Sequence, residues 1–173
     1  MTPNKKKEID FIVVTGPTAT GKTKVAVDIA SKYNGEIISA DSRQIYKGMD
    51  IGTGKDLDEY SINNKKIPYH LIDILDPKEN YSVYQFQRDF LLSYNQIKNR
   101  KNLPILCGGT GLYVDSILLK YKLQNAPGPN QDLRNSLQEK STEELLALFQ
   151  NMSPKKYQDP SKKDTRNRII RSI

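Results

Sequence analysis

A single cysteine, Cys107, in 173 residues leaves no partner for a disulfide and no cysteine cluster for a metal. Long apolar runs are missing as well. Phe11 to Val14 and the stretch around Ile117 to Leu119 are the longest, and both fall far short of the roughly 20 residues a bilayer span needs. The basic N-terminal stretch Met1 to Lys7 leads into a short strand pattern rather than an apolar signal core. No membrane segment is expected, and a cytoplasmic location is. What is present, 36% hydrophobic and 27% charged residues, is the composition of a globular domain with a core of its own. The net charge of +7 is uneven: Lys155 to Ile173 hold seven Lys/Arg against Asp159 and Asp164, a local excess of five positive charges. Such a run is either a solvated helix face or a surface for a polyanion.

Ile9 to Thr15 is short, apolar and β-branched, the pattern of a buried strand, and it runs directly into Gly16. Val25, Ala26, Ile29 and Ala30 then recur at helical spacing within Lys22 to Tyr33. A second strand is expected over Glu36 to Ala40, ending at Asp41, followed by a glycine-punctuated loop with short helix over Ser42 to Lys55. Tyr69 to Ile72 forms a third, ended by Asp73 and the Asp76-Pro77 turn. Ser82 is placed to cap a helix over Val83 to Asn99, whose Phe86, Phe90, Leu91, Tyr94 and Ile97 fall mainly on one stripe. Leu103 to Cys107 is a fourth strand, and Gly108 to Gly111 lead from it into a helix reaching about Leu119. This alternation predicts an α/β fold, a parallel sheet flanked by helices, and Gly16-x-x-x-x-Gly21-Lys22-Thr23 after its first strand makes it P-loop NTPase-like. Beyond it the character changes. Gln124 to Asn130 is a Pro/Gly linker, Ser141 to Glu144 has capping-box spacing, and the rest is helical in pattern. The expected division is a P-loop core over 1–124 and a helical appendage over 125–173.

Gly16-Pro17-Thr18-Ala19-Thr20-Gly21-Lys22-Thr23 satisfies G-x-x-x-x-G-K-[ST] at every fixed position, between a predicted strand and a predicted helix. Glycines let backbone N–H groups turn around phosphate oxygens, the helix N-terminus adds its dipole, Lys22 neutralises charge and the Thr23 hydroxyl can ligate Mg²⁺. In a doubly wound sheet, ligands bind beyond the carboxyl ends of the strands. Asp41-Ser42 and Gly108-Gly109-Thr110 stand at two further strand ends, so all three segments should meet in one crevice. Asp41 is a candidate general base or Mg²⁺ ligand, or simply a cap of the following turn. Asp73 fits a Walker B aspartate but is equally a turn former, and ranks below Asp41. His70 and Cys107 read as packed residues rather than chemical ones.

Taken together, the P-loop, the block Asp41-Ser42-Arg43-Gln44-Ile45-Tyr46-Lys47-Gly48-Met49-Asp50-Ile51-Gly52-Thr53, the run Tyr69 to Asp73 and the segment Gly108 to Tyr113 resemble tRNA dimethylallyltransferases of the MiaA type, in both order and spacing. The resemblance extends from about Ile9 to Ile173. It implies that the P-loop grips the diphosphate of dimethylallyl diphosphate, with Mg²⁺ at Thr23, and that the prenyl group passes to N6 of the adenosine 3′ of the anticodon in tRNA. The implied catalytic residues are Asp41, which removes the amine proton, Lys22, and Thr110, which lies near the diphosphate and the reacting adenine. It further implies that Ser42, Arg43 and Gln44 contact the target nucleotide, flipped out of the anticodon loop, and that Arg134 and Asn167-Arg168-Ile169-Ile170-Arg171 contact the tRNA. Many members carry Gln at the position of Asn167. A monomer is expected.

Members of that family are usually longer, and this chain stops at Ile173 inside a helical pattern, so an N-terminal fragment or a short form is expected. Diphosphate binding needs only the first 120 residues or so. Three other readings remain open: an adenylate isopentenyltransferase acting on a free nucleotide, a small-molecule P-loop kinase with Arg134, Arg168 and Arg171 as lid arginines, and a phosphate- or RNA-binding module without turnover. The basic appendage and Ile51-Gly52-Thr53 favour tRNA over the first; the Asp41 to Thr53 block argues against the second.

Overall fold

The computed structural model describes residues 9–55, 57–62, 64–123 and 130–173. Met1 to Lys7 and most of the Gln124 to Asn130 linker lie outside them. The chain divides into two compact units, Met1–Gln124 and Asn125–Ile173.

The first unit is built on a four-stranded parallel sheet, the class that strand-helix alternation predicts. Its strands are β1 (Ile12–Thr15), β2 (Gly35–Ser39), β5 (Tyr69–His70) and β6 (Leu103–Gly108), in the spatial order β1-β6-β2-β5. Strand β2 is buried at every residue and β6 at all but Leu103, so β-branched and apolar side chains are used on both faces. Ile37, Ile105 and Cys107 point to one face, where Ala26, Val27 and Ala30 of α1 (Lys22–Tyr33) cover them. Ile38 and Leu106 point to the other, against Phe86, Phe90 and Ile97 of α2 (Val83–Asn99) and Val114 of α3 (Gly111–Leu118). There the Phe86 and Tyr113 rings stack at 4.2 Å and 10°. Helix α2 begins where Ser82 predicts: its hydroxyl accepts from Gln85 N–H while the Gln85 side chain accepts from Ser82 N–H, a complete capping box.

Four expectations change. The first strand starts at Ile12 rather than Ile9. The third ends at His70, because Leu71 and Asp73 take left-handed φ values of 62° and 55° that break a ladder, although Leu71 and Ile72 remain buried. Residues 42–55 contain turns and no helix; their regular pairing is a parallel bridge between Tyr46 and Leu75. A 3-10 turn over Leu57–Tyr60 and a two-stranded antiparallel ribbon, β3 (Ser61–Ile62) with β4 (Lys65–Lys66), precede β5 without having shown a pattern in the sequence. Two-residue strands are too short to carry one.

The second unit is helical: α4 (Gln131–Gln138), α5 (Thr142–Met152), α6 (Pro154–Tyr157) and α7 (Arg166–Ser172), with a 3-10 turn over Pro160–Lys162. Its core is Leu137, Leu145, Phe149 and Ile169. The Ser141-Glu144 capping box forms as the spacing predicts. Pro154 and Pro160, each at the first position of a short helix, divide what the sequence pattern presents as continuous. The Arg166 guanidinium donates to the carbonyls of Gln138 at 2.9 Å and Lys140 at 2.5 Å, tying α7 to the end of α4. None of the helices among the described residues is long and apolar enough to cross a membrane.

Candidate active site

The loop between β1 and α1 needs three residues on the positive side of φ: Gly16 at 151°, Ala19 at 62° and Gly21 at 76°. Glycine meets that demand without strain at two of them, and Ala19 does so against its Cβ. The turn is closed from within, by the Thr20 hydroxyl donating to the Pro17 carbonyl at 2.8 Å and by the Lys22 ammonium donating to the same oxygen. No side chain caps α1, whose N-cap is Gly21, so its first N–H groups are left for an anion.

Facing this loop are the ends of β2 and β6, laced together by their backbones. Ala40 N–H donates to the Cys107 carbonyl at 2.8 Å and Thr110 N–H to the Ala40 carbonyl at 3.1 Å. Such an approach is possible only at a residue without a side chain. A Cβ on Gly108 would lie 2.3 Å from the Ala40 carbonyl carbon and oxygen. Ser42 N–H then donates to Thr110 Oγ1 at 2.9 Å, and the Thr110 hydroxyl donates to Ser42 Oγ at 3.2 Å. Asp41 accepts from Arg43 N–H at 2.9 Å through one carboxylate oxygen, which aims the side chain and leaves it partly exposed. The three strand-end segments therefore meet. Thr18 to Thr23, Asp41 and Gly108 border one cavity of about 270 Å³.

Gln44 and Thr53, both in the block that carries the family resemblance, also border this cavity, whereas its further walls Gly54, Glu59, Tyr60 and Cys107 were not legible in the sequence. The Glu59 and Tyr60 positions depend on the 3-10 turn, which carries no sequence signature. Burial pushes the Tyr60 phenol far above its usual range and the Cys107 thiol up to about 11, with Lys22 pulling the latter back. Both are protonated, unreactive wall groups at neutral pH.

Of the residues expected at the nucleotide, Ser42 and Arg43 sit beside Asp41, whereas the Gln44 side chain is turned inward. Its oxygen accepts from the Ser39 hydroxyl at 3.0 Å and its amide nitrogen donates to the Gly54 carbonyl at 3.1 Å. Asp73 is committed elsewhere: the Lys55 ammonium donates to it at 2.5 Å. His70 is bonded to Glu36 at 2.7 Å, at the opposite edge of the sheet.

In the second unit, Arg134 is half-buried on α4, and Asn167 to Arg171 all lie on α7. Arg168 and Arg171 are exposed, Arg168 pairing with Asp164 at 2.5 Å. Ile169 is only 2% exposed, so its side chain holds α7 in the core and Ile170 packs partly against it.

A Mg²⁺ ion at this cavity would meet oxygen donors: the Thr23 hydroxyl and the Asp41 and Glu59 carboxylates. No cluster of three or more His, Cys, Asp or Glu exists among the described residues. Oxygen donors of this kind suit Mg²⁺.

A glycine-bent loop between a strand of a parallel sheet and the N-terminus of a helix, sharing one cavity with an aspartate at the end of another strand, defines a P-loop α/β protein. The family model described as IPP transferase matches residues 44–173, and one described as Isopentenyl transferase matches residues 9–69. The chain belongs to the IPP transferase family. It is 54% identical over 166 residues to tRNA dimethylallyltransferase 2 of Bacteroides fragilis, covering 96% of this chain and 53% of that one. To tRNA dimethylallyltransferase 1 of Parabacteroides distasonis it is 50% identical over 167 residues, with 96% and 53% covered. Among solved structures, the tRNA isopentenylpyrophosphate transferase of Bacillus halodurans superimposes with a TM-score of 0.62 at 37% identity, over 94% of this chain and 53% of that one. A eukaryotic dimethylallyltransferase acting on tRNA gives a TM-score of 0.75 at 25% identity, over 93% and 40%. The chain thus spans about half the length of the curated relatives it matches.

Proposed function

We propose that the chain carries the catalytic half-site for transfer of a dimethylallyl group from dimethylallyl diphosphate to N6 of the adenosine 3′ of the anticodon in tRNA, releasing diphosphate. The observation that carries this reading is that the Asp41 carboxylate borders the same cavity as the P-loop residues Thr18 to Thr23, next to Ser42, which is bonded to Thr110. A kinase moves the phosphoryl group that its P-loop holds. Here the held diphosphate is the leaving group.

Negative charge builds on the diphosphate as the allylic C–O bond breaks. The α1 N-terminus and Lys22 stabilise it, and Mg²⁺ at Thr23 would add charge neutralisation there. The exocyclic amine of adenine is a weak nucleophile that must shed a proton as it attacks carbon. Asp41, held by Arg43 N–H, accepts that proton, and Thr110, fixed by Ser42, orients the base. Ser42 and Arg43 lie where they would meet the flipped nucleotide, and Gln44 supports that wall from within. In the second unit, Arg134, Asn167, Arg168 and Arg171 supply contacts to the tRNA backbone, with Ile169 and Ile170 anchoring their helix.

The test supplies Mg²⁺ and labelled dimethylallyl diphosphate with unmodified tRNA or with AMP. Label is expected in tRNA. Asp41→Ala should abolish transfer, a loss of at least about 100-fold, while pyrophosphate binding stays close to wild type. Label in AMP alone, or ATP-dependent phosphoryl transfer, would refute the reading.

A further inference from the structure

Lys55 is a buried charge whose side chain has no exposed surface. Its ammonium has three protons and three acceptors: the Tyr46 carbonyl at 2.8 Å, Asp50 Oδ1 at 3.0 Å and Asp73 Oδ1 at 2.5 Å. Every donor is used. Burial alone lowers the pKa of this ammonium, and the two carboxylates outweigh it, so that the group is held above its ordinary value and stays charged.

The acceptors come from separate places. Tyr46 and Asp50 lie within the loop after β2, whereas Asp73 follows β5. The ammonium thus fastens residues 46–55 onto the turn at Asp73. That turn already pairs with the same loop, Asp73 N–H donating to Gln44 O at 3.1 Å, Ile74 N–H to Ile45 O at 2.9 Å and Lys47 N–H to Leu75 O at 2.8 Å. Gly52 and Gly54 flank Thr53 at φ values of 77° and 66°, and a Cβ at either would meet nothing within 4 Å.

What the fastening holds is the cavity wall. Gly54, next to Lys55, accepts the Gln44 amide, and the Thr53 hydroxyl donates to the Met49 carbonyl at 2.6 Å. Gln44, Thr53 and Gly54 border the cavity beside Asp41. The P-loop takes its shape from its own glycines and from bonds to Pro17, with no contribution from Lys55.

We propose that Lys55 is a positioning residue that sets the wall on which the nucleophilic base is seated, touching neither the diphosphate nor the reacting atoms. This rests on the transferase reading of the cavity. It also gives Asp73 a role as the carboxylate anchor of the lysine rather than as a metal ligand.

The test uses Lys55→Met, which keeps the stem and removes the charge, with Asp73→Asn and the double variant. Asp50 and Asp73 retain 66% and 33% side-chain exposure, so water can solvate what is left unpaired. For Lys55→Met we expect pyrophosphate affinity in the presence of Mg²⁺ within about twofold of wild type and KM for dimethylallyl diphosphate unchanged, since the cradle is intact. Transfer to an anticodon stem-loop RNA should fall by about 100-fold in kcat/KM. The double variant should be no worse than Lys55→Met. Unchanged transfer, pyrophosphate affinity falling in step with transfer, or losses that multiply in the double variant would each overturn the proposal. If the wild-type chain binds pyrophosphate but prenylates nothing, the transferase reading fails on its own. Amide hydrogen exchange then decides the positioning claim. Faster exchange confined to Lys47 and Asp73 to Leu75 in Lys55→Met supports it; uniform or no acceleration overturns it.

Discussion

At the scale of single residues, Gly108 carries the tightest demand in the site. Its approach to Ala40 leaves 2.3 Å for a Cβ that would face backbone atoms unable to rotate away. Gly108→Ala should therefore cost about 3 kcal/mol, the upper end for overpacking, in urea denaturation, and should displace Thr110 from Ser42. Gly109→Ala is the control. Its nearest backbone neighbour would be an ordinary 3.5 Å away, so its denaturation midpoint should stay near wild type. Glu36 shows how the same neighbourhood logic acts on charge. It is 2% exposed and receives Arg100 Nε at 2.8 Å, Arg100 Nη2 at 2.7 Å, Asn102 Nδ2 at 2.7 Å and His70 Nε2 at 2.7 Å. Arg100 does most to lower its pKa; burial pushes back, His70 and Asn102 add to the lowering, and the carboxyl settles at about 2 instead of 4.5. A folded value below the unfolded one means that the stabilisation is complete above pH 4.5 and is lost as pH falls toward about 2. The linked stability is on the order of 3 kcal/mol. Glu36→Gln should flatten the pH dependence of unfolding in that window while lowering stability at pH 7, as followed by denaturation at a series of pH values.

At the scale of elements, α1 and α2 begin in opposite ways. Helix α1 opens on an uncapped glycine because its N–H groups are kept for an anion, whereas α2 opens on a full capping box because its task is to cover the sheet. Ser82→Ala should remove about 1 kcal/mol of stability and leave pyrophosphate affinity unchanged. Strand β1, which delivers the P-loop, pairs among the described residues with β6 alone, and its apolar side chains are only half-buried. Strand β2, which delivers Asp41, is buried throughout and paired on both sides, so the two sides of the cavity rest on differently buried supports.

At the scale of the whole molecule, an excess of positive charge coexists with an acidic lining at the cavity, where Asp41 and Glu59 stand near Lys22. The basic charge is most concentrated over Lys155 to Ile173 in the second unit, where it suits a polyanion. Arg168→Ala with Arg171→Ala should weaken binding of the anticodon stem-loop and reduce the salt slope of log Kd by roughly 0.7 for each phosphate that is no longer neutralised, with pyrophosphate binding unaffected. Because Arg168 is paired with Asp164 at 2.5 Å on the surface, Asp164→Asn should tighten RNA binding at low salt, by a factor of about 5 or less, the scale of an exposed ion pair.

Several features could be read without coordinates because their causes are local. The Gly16 to Thr23 loop, the Ser82 and Ser141 caps and the apolar stripe of α2 are each set by residues within a turn or two of one another. The sequence alone also determined that Asp41 and Thr110 close two strands, and so that they belong at one sheet edge. Tertiary structure decided the rest. The strand order β1-β6-β2-β5 inserts the last strand between the first two, which makes Gly108 touch Ala40 and Thr110 hold Ser42 across 68 positions of sequence. Asp73 has the look of a metal ligand along the chain, yet its carboxylate goes to Lys55, 18 residues away, and Gln44 turns inward to Ser39 and Gly54. Ile169 sits in a basic segment and faces the core. The reason is common to all of these: a polar or apolar side chain answers to whatever the fold packs against it, and a buried charge such as Lys55 finds its acceptors only after distant loops have been brought together.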